Sequence, residues 1–328
     1  RASTIEEAYQ ALQSFGHPPQ NFVLADVEGN IGMLTAGYAM LHPKPSRGIS
    51  LATKKEQLVP FTYMGSKLKV LKPAKAYNYS ANNNQIIDSL APYLNSMFAP
   101  SARGRRIDYM LNDSTLIDAD YLANMQSDVL DGEWALLKNH VLQTVPVELS
   151  NHFNAWQGEV TESSVAATIY HVYRQYLVDS LAKALVGDFD FYPLSEELLY
   201  RVAKQLSFPV KGGDTLDLKQ LYKLVWQKTL TQLEKELGID KDNWQYKNYH
   251  KISIEHVAKI ESFNYPSFGA QGGPRTVNVS SGLPGKMGPS MRTLIELNPA
   301  GIRARLVLAG GQNGQPSSIN YSDQVDTW

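Results

Sequence analysis

Apolar residues recur every three or four positions at the start of the chain: Ile5, Ala8, Leu12 and Phe15 lie on one face of "RASTIEEAYQALQSF". That period predicts an amphipathic helix over residues 1–15. Ser3 and Glu6 have capping-box spacing at its start, and Gly16, Pro18 and Pro19 end it. The period then shortens to two. "NFVLADVEGNIGML" reads as two strands joined at Glu28-Gly29-Asn30, a buried hairpin behind the helix.

Residues 39–60 carry no period and are broken by Pro43, Pro45 and Gly48, and residues 76–106 pass through a second irregular stretch. Helical periodicity resumes near Arg105 and holds to about residue 240. Its clearest members are "DADYLANMQSDVL" and "SSVAATIYHVYRQYLVDSLAKALV", the latter with Val165, Ile169, Val172, Tyr176 and Leu181 as a core-facing stripe. After that, "RTVNVSS", "MRTLIELN" and "IRARLVLAGG" are short, β-branched and separated by Gly and Pro, as strands are. The order is strand, helix block, strand, which predicts an α+β chain in three parts. Residues 1–104 form a β-rich part with a leading helix, 105–240 an inserted helical lobe, and 241–328 a second β-rich part sharing one sheet and core with the first.

Composition narrows the partners. The 328 residues are 43% hydrophobic, enough for a large core. Basic and acidic side chains number 31 and 32, so nothing draws the chain to nucleic acid or to an anionic membrane. No run reaches the eighteen or so apolar residues of a membrane helix. Cysteine is absent, which removes disulfides, thiolate nucleophiles and zinc–thiolate sites together.

Local catalytic motifs are missing: there is no G-x-S-x-G, no phosphate loop, no H-E-x-x-H and no G-x-G-x-x-G. The seven His are scattered, and His250 and His256 bind metal only if folding brings further ligands to them. Asn82, Asn83 and Asn84 in "YNYSANNNQ" have two readings. They form an exposed turn, or a polar loop lining a pocket where each amide finds partners. Asn21, just before "FVLAD", also has two: it starts a strand, or it aims its side-chain NH2 at a developing oxyanion.

Read together, eight blocks resemble the penicillin amidase family of N-terminal nucleophile hydrolases, in family order. They are "NFVLADVEGNIGMLTAGY" (21–38), "YSANNNQ" (79–85), "APSARGRRIDYML" (99–111), "MQSDV" (125–129), "EHVAKI" (255–260), "GGPRTVNV" (272–279), "GPSMRTLIEL" (288–297) and "GGQNGQPSSINYSDQVDTW" (310–328). The resemblance implies a four-layer αββα sandwich and an ordered polar ending. It departs at Asn313, where Ser is usual, and at Asn320, where His is common.

The chemistry implied is amide hydrolysis by an N-terminal Ser whose own α-amine is the base. Candidate substrates are penicillin-type β-lactams and acyl-homoserine lactones, in the settings of antibiotic biosynthesis or resistance and of quorum quenching. The match assigns the oxyanion donor to Asn21 and, less directly, site support to Arg47. The nucleophile has no counterpart here, since Ser3 and Ser14 lie in the first helix without a free α-amine of their own. The chain is therefore expected to correspond to the C-terminal portion of a large subunit. Its partners are the preceding part of that subunit, a small subunit and an N-acylated small molecule. No cofactor is expected from these residues; calcium in the complete protein is expected to use ligands outside them, and the family's usual setting implies a periplasmic or secreted location. The alternative is a non-catalytic homologue that has kept the fold and lost the nucleophile.

Overall fold

Thr4, rather than Ser3, caps the first helix, α1 (Ile5–Leu12). Its hydroxyl accepts the Glu7 N–H at 3.2 Å, while the Glu7 carboxylate accepts the Ser3 N–H at 2.6 Å. The expected pair is thus shifted by one residue. Ser3/Glu6 and Thr4/Glu7 both satisfy the spacing, and the helix begins where Ile5 is buried. The computed structural model describes residues 1–40, 61–85, 98, 101–114, 116–187, 196–204, 207–209, 215–280 and 288–328.

The hairpin forms at the expected turn. Strands β1 (Gln20–Ala25) and β2 (Ile31–Ala36) pair antiparallel, with Asn21 opposite Thr35 and Ala25 opposite Ile31. Gly29 supplies the left-handed φ of +84° that the turn needs. The Asp26 carboxylate accepts the N–H groups of Glu28 and Asn30 at 3.1 and 2.9 Å and that of Ile5 at 3.3 Å, tying the turn to α1. Strand β3 (Tyr38–Met40) pairs with β4 (Phe61–Tyr63), and β5 (Lys69–Leu71) adds to β2, giving the order β1-β2-β5. Helix α2 (Ala102–Asp113) follows.

Among the described residues only one face of this sheet is covered. Leu34 and Ala36 are fully buried on the α1 side, whereas on the opposite face Val23 is 58% and Val70 45% exposed. The hairpin expected to be buried is half-buried.

The helical stretch continues with α3 (Ala119–Gln126), α4 (Trp134–Thr144), α5 (Val147–Phe153), α6 (Val165–Val186) and α7 (Glu196–Ala203). A short hairpin, β6 (Ser207–Pro209) and β7 (Thr215–Asp217), leads into α8 (Leu218–Leu237) and the one-turn α9 (Tyr246–Tyr249). Ser164 caps α6 by accepting the Ala167 N–H at 3.1 Å, and Asp217 caps α8 by accepting that of Gln220 at 3.1 Å.

Helix α6 buries more than the predicted stripe, since Tyr170, Tyr173 and Leu177 are as buried as Ile169 and Leu181. Tyr173 stacks on Trp226 of α8 at 3.8 Å, and Tyr170 meets Trp134 edge-on at 5.2 Å, so aromatic neighbours close on it from two sides.

Strands β8 (Lys251–Ile254) and β9 (Tyr265–Gly269) form one antiparallel pair, and β10 (Met291–Asn298) and β11 (Gly301–Leu308) another. Among the described residues no ladder joins either pair to β1-β2-β5. "RTVNVSS" is not a strand where it is described, over residues 275–280. There Thr276 accepts the Gly273 N–H at 2.9 Å and donates to the Asn278 carbonyl at 2.6 Å, and such local side-chain bonds hold an irregular loop in place of a ladder.

The polar ending is ordered, as expected. The Gln324 side chain accepts the Leu308 N–H at 2.8 Å, Tyr321 donates to the Phe263 carbonyl, and the Trp328 indole donates to the Pro289 carbonyl at 2.8 Å. The chain divides into two compact units, residues 1–119 with 294–305 and residues 120–293 with 306–328.

The second unit holds a buried charge cluster. Glu133 is fully buried and ion-paired to Arg174, with a second contact at 2.9 Å, and to Arg275 at 3.0 Å. Burial pushes the Glu133 carboxyl up, but the two guanidiniums overcome it and hold the pKa down at about 2. Asp131, which accepts the Glu133 N–H at 2.8 Å, is pushed up to about 6 by burial and by the Glu133 charge.

Candidate active site

Asn21 is the second residue of β1 and points to the open face of the sheet together with Thr35, its cross-strand partner. The Thr35 hydroxyl donates to Asn21 Oδ1 at 2.6 Å, and Asn21 Nδ2 donates to Ser80 Oγ at 2.9 Å. These two bonds fix the amide plane and leave its second N–H with no partner among the described residues. A carboxamide held at both ends with one free donor is a preorganised dipole, able to stabilise negative charge without reorganising.

That donor lines a cavity of about 820 Å³ whose wall includes Gln20, Asn21, Thr35, Ser80, Asn82 and Asn83. The Asn loop and Asn21 are therefore brought together. Asn82 sits at φ +60°, a left-handed conformation that Asn tolerates. Its Oδ1 accepts from Arg103 Nη2 at 2.9 Å, and the same nitrogen donates to the Ala81 carbonyl at 2.9 Å. Burial pulls the pKa of this guanidinium down. Asn83 Oδ1 accepts the Ala81 N–H at 3.1 Å, and its amide lies against Gly104 of α2, where a Cβ would come within 3.0 Å. Asn84 instead lines a neighbouring cavity of about 500 Å³ with Tyr77 and Asp108.

Arg47 lies outside the described residues. Thr35, Ser80 and Arg103 were missed as site residues, although a turn centred on Glu28 sets Asn21 opposite Thr35, each seven positions away. Of the two His singled out for metal, His250 pairs through Nε2 with Ser280 Oγ at 2.9 Å and His256 through Nε2 with the Gly314 carbonyl at 2.9 Å. Among the described residues no three His, Asp or Glu side chains converge on a possible ion site.

The fold is that of a known class of hydrolase. The chain superposes on the thermostable penicillin G acylase from Alcaligenes faecalis with a TM-score of 0.64 at 13% identity, covering 98% of this chain and 64% of that one. Residues 1–328 match the penicillin amidase family throughout, and the chain belongs to that family. It is 24% identical, over 358 aligned positions, to the penicillin acylase 2 proenzyme of Pseudomonas sp. (strain SE83). The match takes in all of this chain and 45% of that relative, so the chain spans about half the relative's length.

Proposed function

We propose that this chain is the oxyanion-donor portion of an acylase that hydrolyses the amide bond of N-acylated small molecules. Penicillin-type β-lactams and acyl-homoserine lactones are the substrate classes to test first. The observation that carries the reading is the Asn21 amide, clamped by Thr35 and Ser80 with one N–H unpaired among the described residues, beside a cavity of about 820 Å³.

In the complete protein an N-terminal Ser outside these residues attacks the carbonyl carbon, and its α-amine takes the hydroxyl proton. The free Asn21 N–H donates to the oxygen that gains charge, and collapse of the tetrahedral adduct returns the proton to the leaving amine. Water then releases the acyl group. The uncovered sheet face with Val23 and Val70 supports completion of a four-layer αββα sandwich by polypeptide outside these residues. The relative's description as a proenzyme supports partners made by processing, namely the rest of the large subunit and a small subunit, and the family setting supports a periplasmic or secreted protein.

The test is N-terminal sequencing of the mature complete protein, followed by kinetics on an acyl-anilide panel with wild type and Asn21→Ala. A Ser, Thr or Cys terminus and a kcat fall of about 10²–10³ are expected. Unchanged turnover removes the role given to Asn21. A mature protein without such a terminus, and without labelling by phenylmethylsulfonyl fluoride, establishes the non-catalytic binding reading instead.

A further inference from the structure

A second cavity, of about 420 Å³ and lined wholly by the second unit, joins one half-buried cation, two rim carboxylates and an aromatic wall. Arg292 of β10 points into it. Among the described residues its two terminal nitrogens reach only neutral oxygens, Ser127 Oγ at 3.3 Å and Asn278 Oδ1 at 3.1 Å, and its buried Nε has no partner. No carboxylate among the described residues lies within ion-pair distance of it. A half-buried guanidinium without a counter-charge is costly, which makes the position a receptor for an external carboxylate. Asn278 is itself buried, and its loop is held by the Thr276 bonds, so the guanidinium is held in place.

Glu162 and Asp326 line the same cavity from exposed positions and carry no ion pair among the described residues. With two carboxylates against one guanidinium, a simple anion is disfavoured. A ligand carrying both charges fits. Phe268 and Trp328 meet at 80° with their ring centres 6.3 Å apart, Tyr265 stands edge-on to Phe268 at 6.0 Å, and buried Ile252 and Val325 add apolar surface. The volume falls within the range of small-molecule pockets.

We propose that this cavity binds a zwitterionic α-amino acid with an aromatic side chain, its carboxylate on Arg292, its ammonium between Asp326 and Glu162, and its ring against Phe268 and Trp328. The assignment does not depend on the acylase reading, because none of these residues lines the Asn21 cavity.

The experiment is isothermal titration calorimetry on the complete protein with five probes. These are L- and D-phenylalanine, 3-phenylpropanoate without the ammonium, 2-phenylethylamine without the carboxylate, and glycine without the ring. Saturable one-to-one binding of one phenylalanine enantiomer is expected, with each truncated probe weaker by about tenfold or more. Arg292→Gln is expected to weaken phenylalanine to the level of 2-phenylethylamine and to leave that amine unchanged. Exposed Asp326→Asn, combined with Glu162→Gln, keeps the test available if Arg292→Gln does not fold, and is expected to weaken phenylalanine while sparing 3-phenylpropanoate. No saturable heat with either enantiomer up to about 10 mM overturns the proposal. Binding that neither variant alters overturns it equally, as does 2-phenylethylamine binding as tightly as phenylalanine.

Discussion

Thr35 donates its hydroxyl to Oδ1 of Asn21 across the first hairpin at 2.6 Å, and this bond sets which end of the Asn21 amide faces Ser80. Without it, only the Ser80 bond opposes rotation of the carboxamide about its last bond, and the N–H aimed into the cavity is less firmly held. Thr35→Val keeps the shape and removes the donor. In the complete protein kcat on an acyl-anilide is expected to fall about tenfold with KM little changed, because the bond acts on transition-state charge through Asn21. Thr35→Ser is expected to restore most of the rate. Equal kcat values for wild type and Thr35→Val would show that the amide is held by other means.

Gly272 is a position where a single methyl group has nowhere to go. Its φ is +85°, and a Cβ would sit 2.2 Å from the Asn278 carbonyl oxygen, against backbone rather than a movable side chain. Its own N–H is bonded to the Val160 carbonyl at 2.8 Å, so the segment cannot swing away without losing that bond. Gly272→Ala in the complete protein is expected to cost about 2–3 kcal/mol, combining backbone strain with overpacking. A urea-unfolding midpoint that matches wild type would refute the steric argument.

The two substitutions differ in how far the sequence foretells them. The hairpin was legible because Glu28-Gly29-Asn30 marks its turn, and the turn's centre then sets Asn21 opposite Thr35. Ser80 was not, because it comes from a segment 59 positions away with no period to align it. The same limit hides the Glu133 cluster, whose partners Arg174 and Arg275 lie on distant segments. "RTVNVSS" misled for a different reason. Its alternation is that of a strand, but Thr276, Asn278 and Ser280 turn inward and bond locally or to Arg292 and His250. For α6 the period was right and the environment was missing, since tyrosines that read as flank residues are buried by helices elsewhere in the chain. The open face of β1 and β2 belongs to neither case, because what covers an apolar face is not written in that face.

Glu133 carries two largely buried guanidiniums, and its loss is asymmetric. Glu133→Ala leaves Arg174 and Arg275 without their shared partner in a site where Glu133 itself is fully buried, which is expected to destabilise the complete protein by about 3–5 kcal/mol. Glu133→Gln keeps the volume and two hydrogen-bonding atoms and is expected to fall between Ala and wild type. The pH sense follows from the carboxyl held at about 2 in the fold. The stability it contributes is complete above its unfolded value near 4.5 and is lost as pH falls from there toward 2. Urea midpoints of wild type and Glu133→Gln measured between pH 5 and 3 should therefore converge. Parallel curves would show that the charge of Glu133 does not matter.

His140 sets a second, milder dependence that reaches nearer to neutral pH. Its Nδ1 lies 3.1 Å from the Ala203 carbonyl, which can only accept, so Nδ1 carries the hydrogen and Nε2 accepts the Tyr173 hydroxyl at 2.7 Å. Burial pulls its pKa from 6.5 down to about 4, against the bond to Ala203. Folded His140 is neutral where the unfolded residue takes up a proton, so its contribution is constant above pH 6.5 and is lost as pH falls through 6.5 toward 4. The loss is expected to reach roughly 2 kcal/mol by pH 5. His171, pulled to about 3 by burial with Arg275 and Arg174 nearby, acts in the same direction. Asp131, raised to about 6, acts in the opposite one, since its folded carboxyl holds a proton that the unfolded one releases. Four lowered histidines, His152 and His250 being the other two, against one raised carboxyl leave a net fall in stability on acidification from pH 7 to pH 5. His140→Gln has no proton to gain, so its urea midpoint is expected to be lower than wild type at pH 7 and to drop less between pH 7 and pH 5. A variant whose midpoint drops as steeply as wild type would show that His140 is not the group responsible.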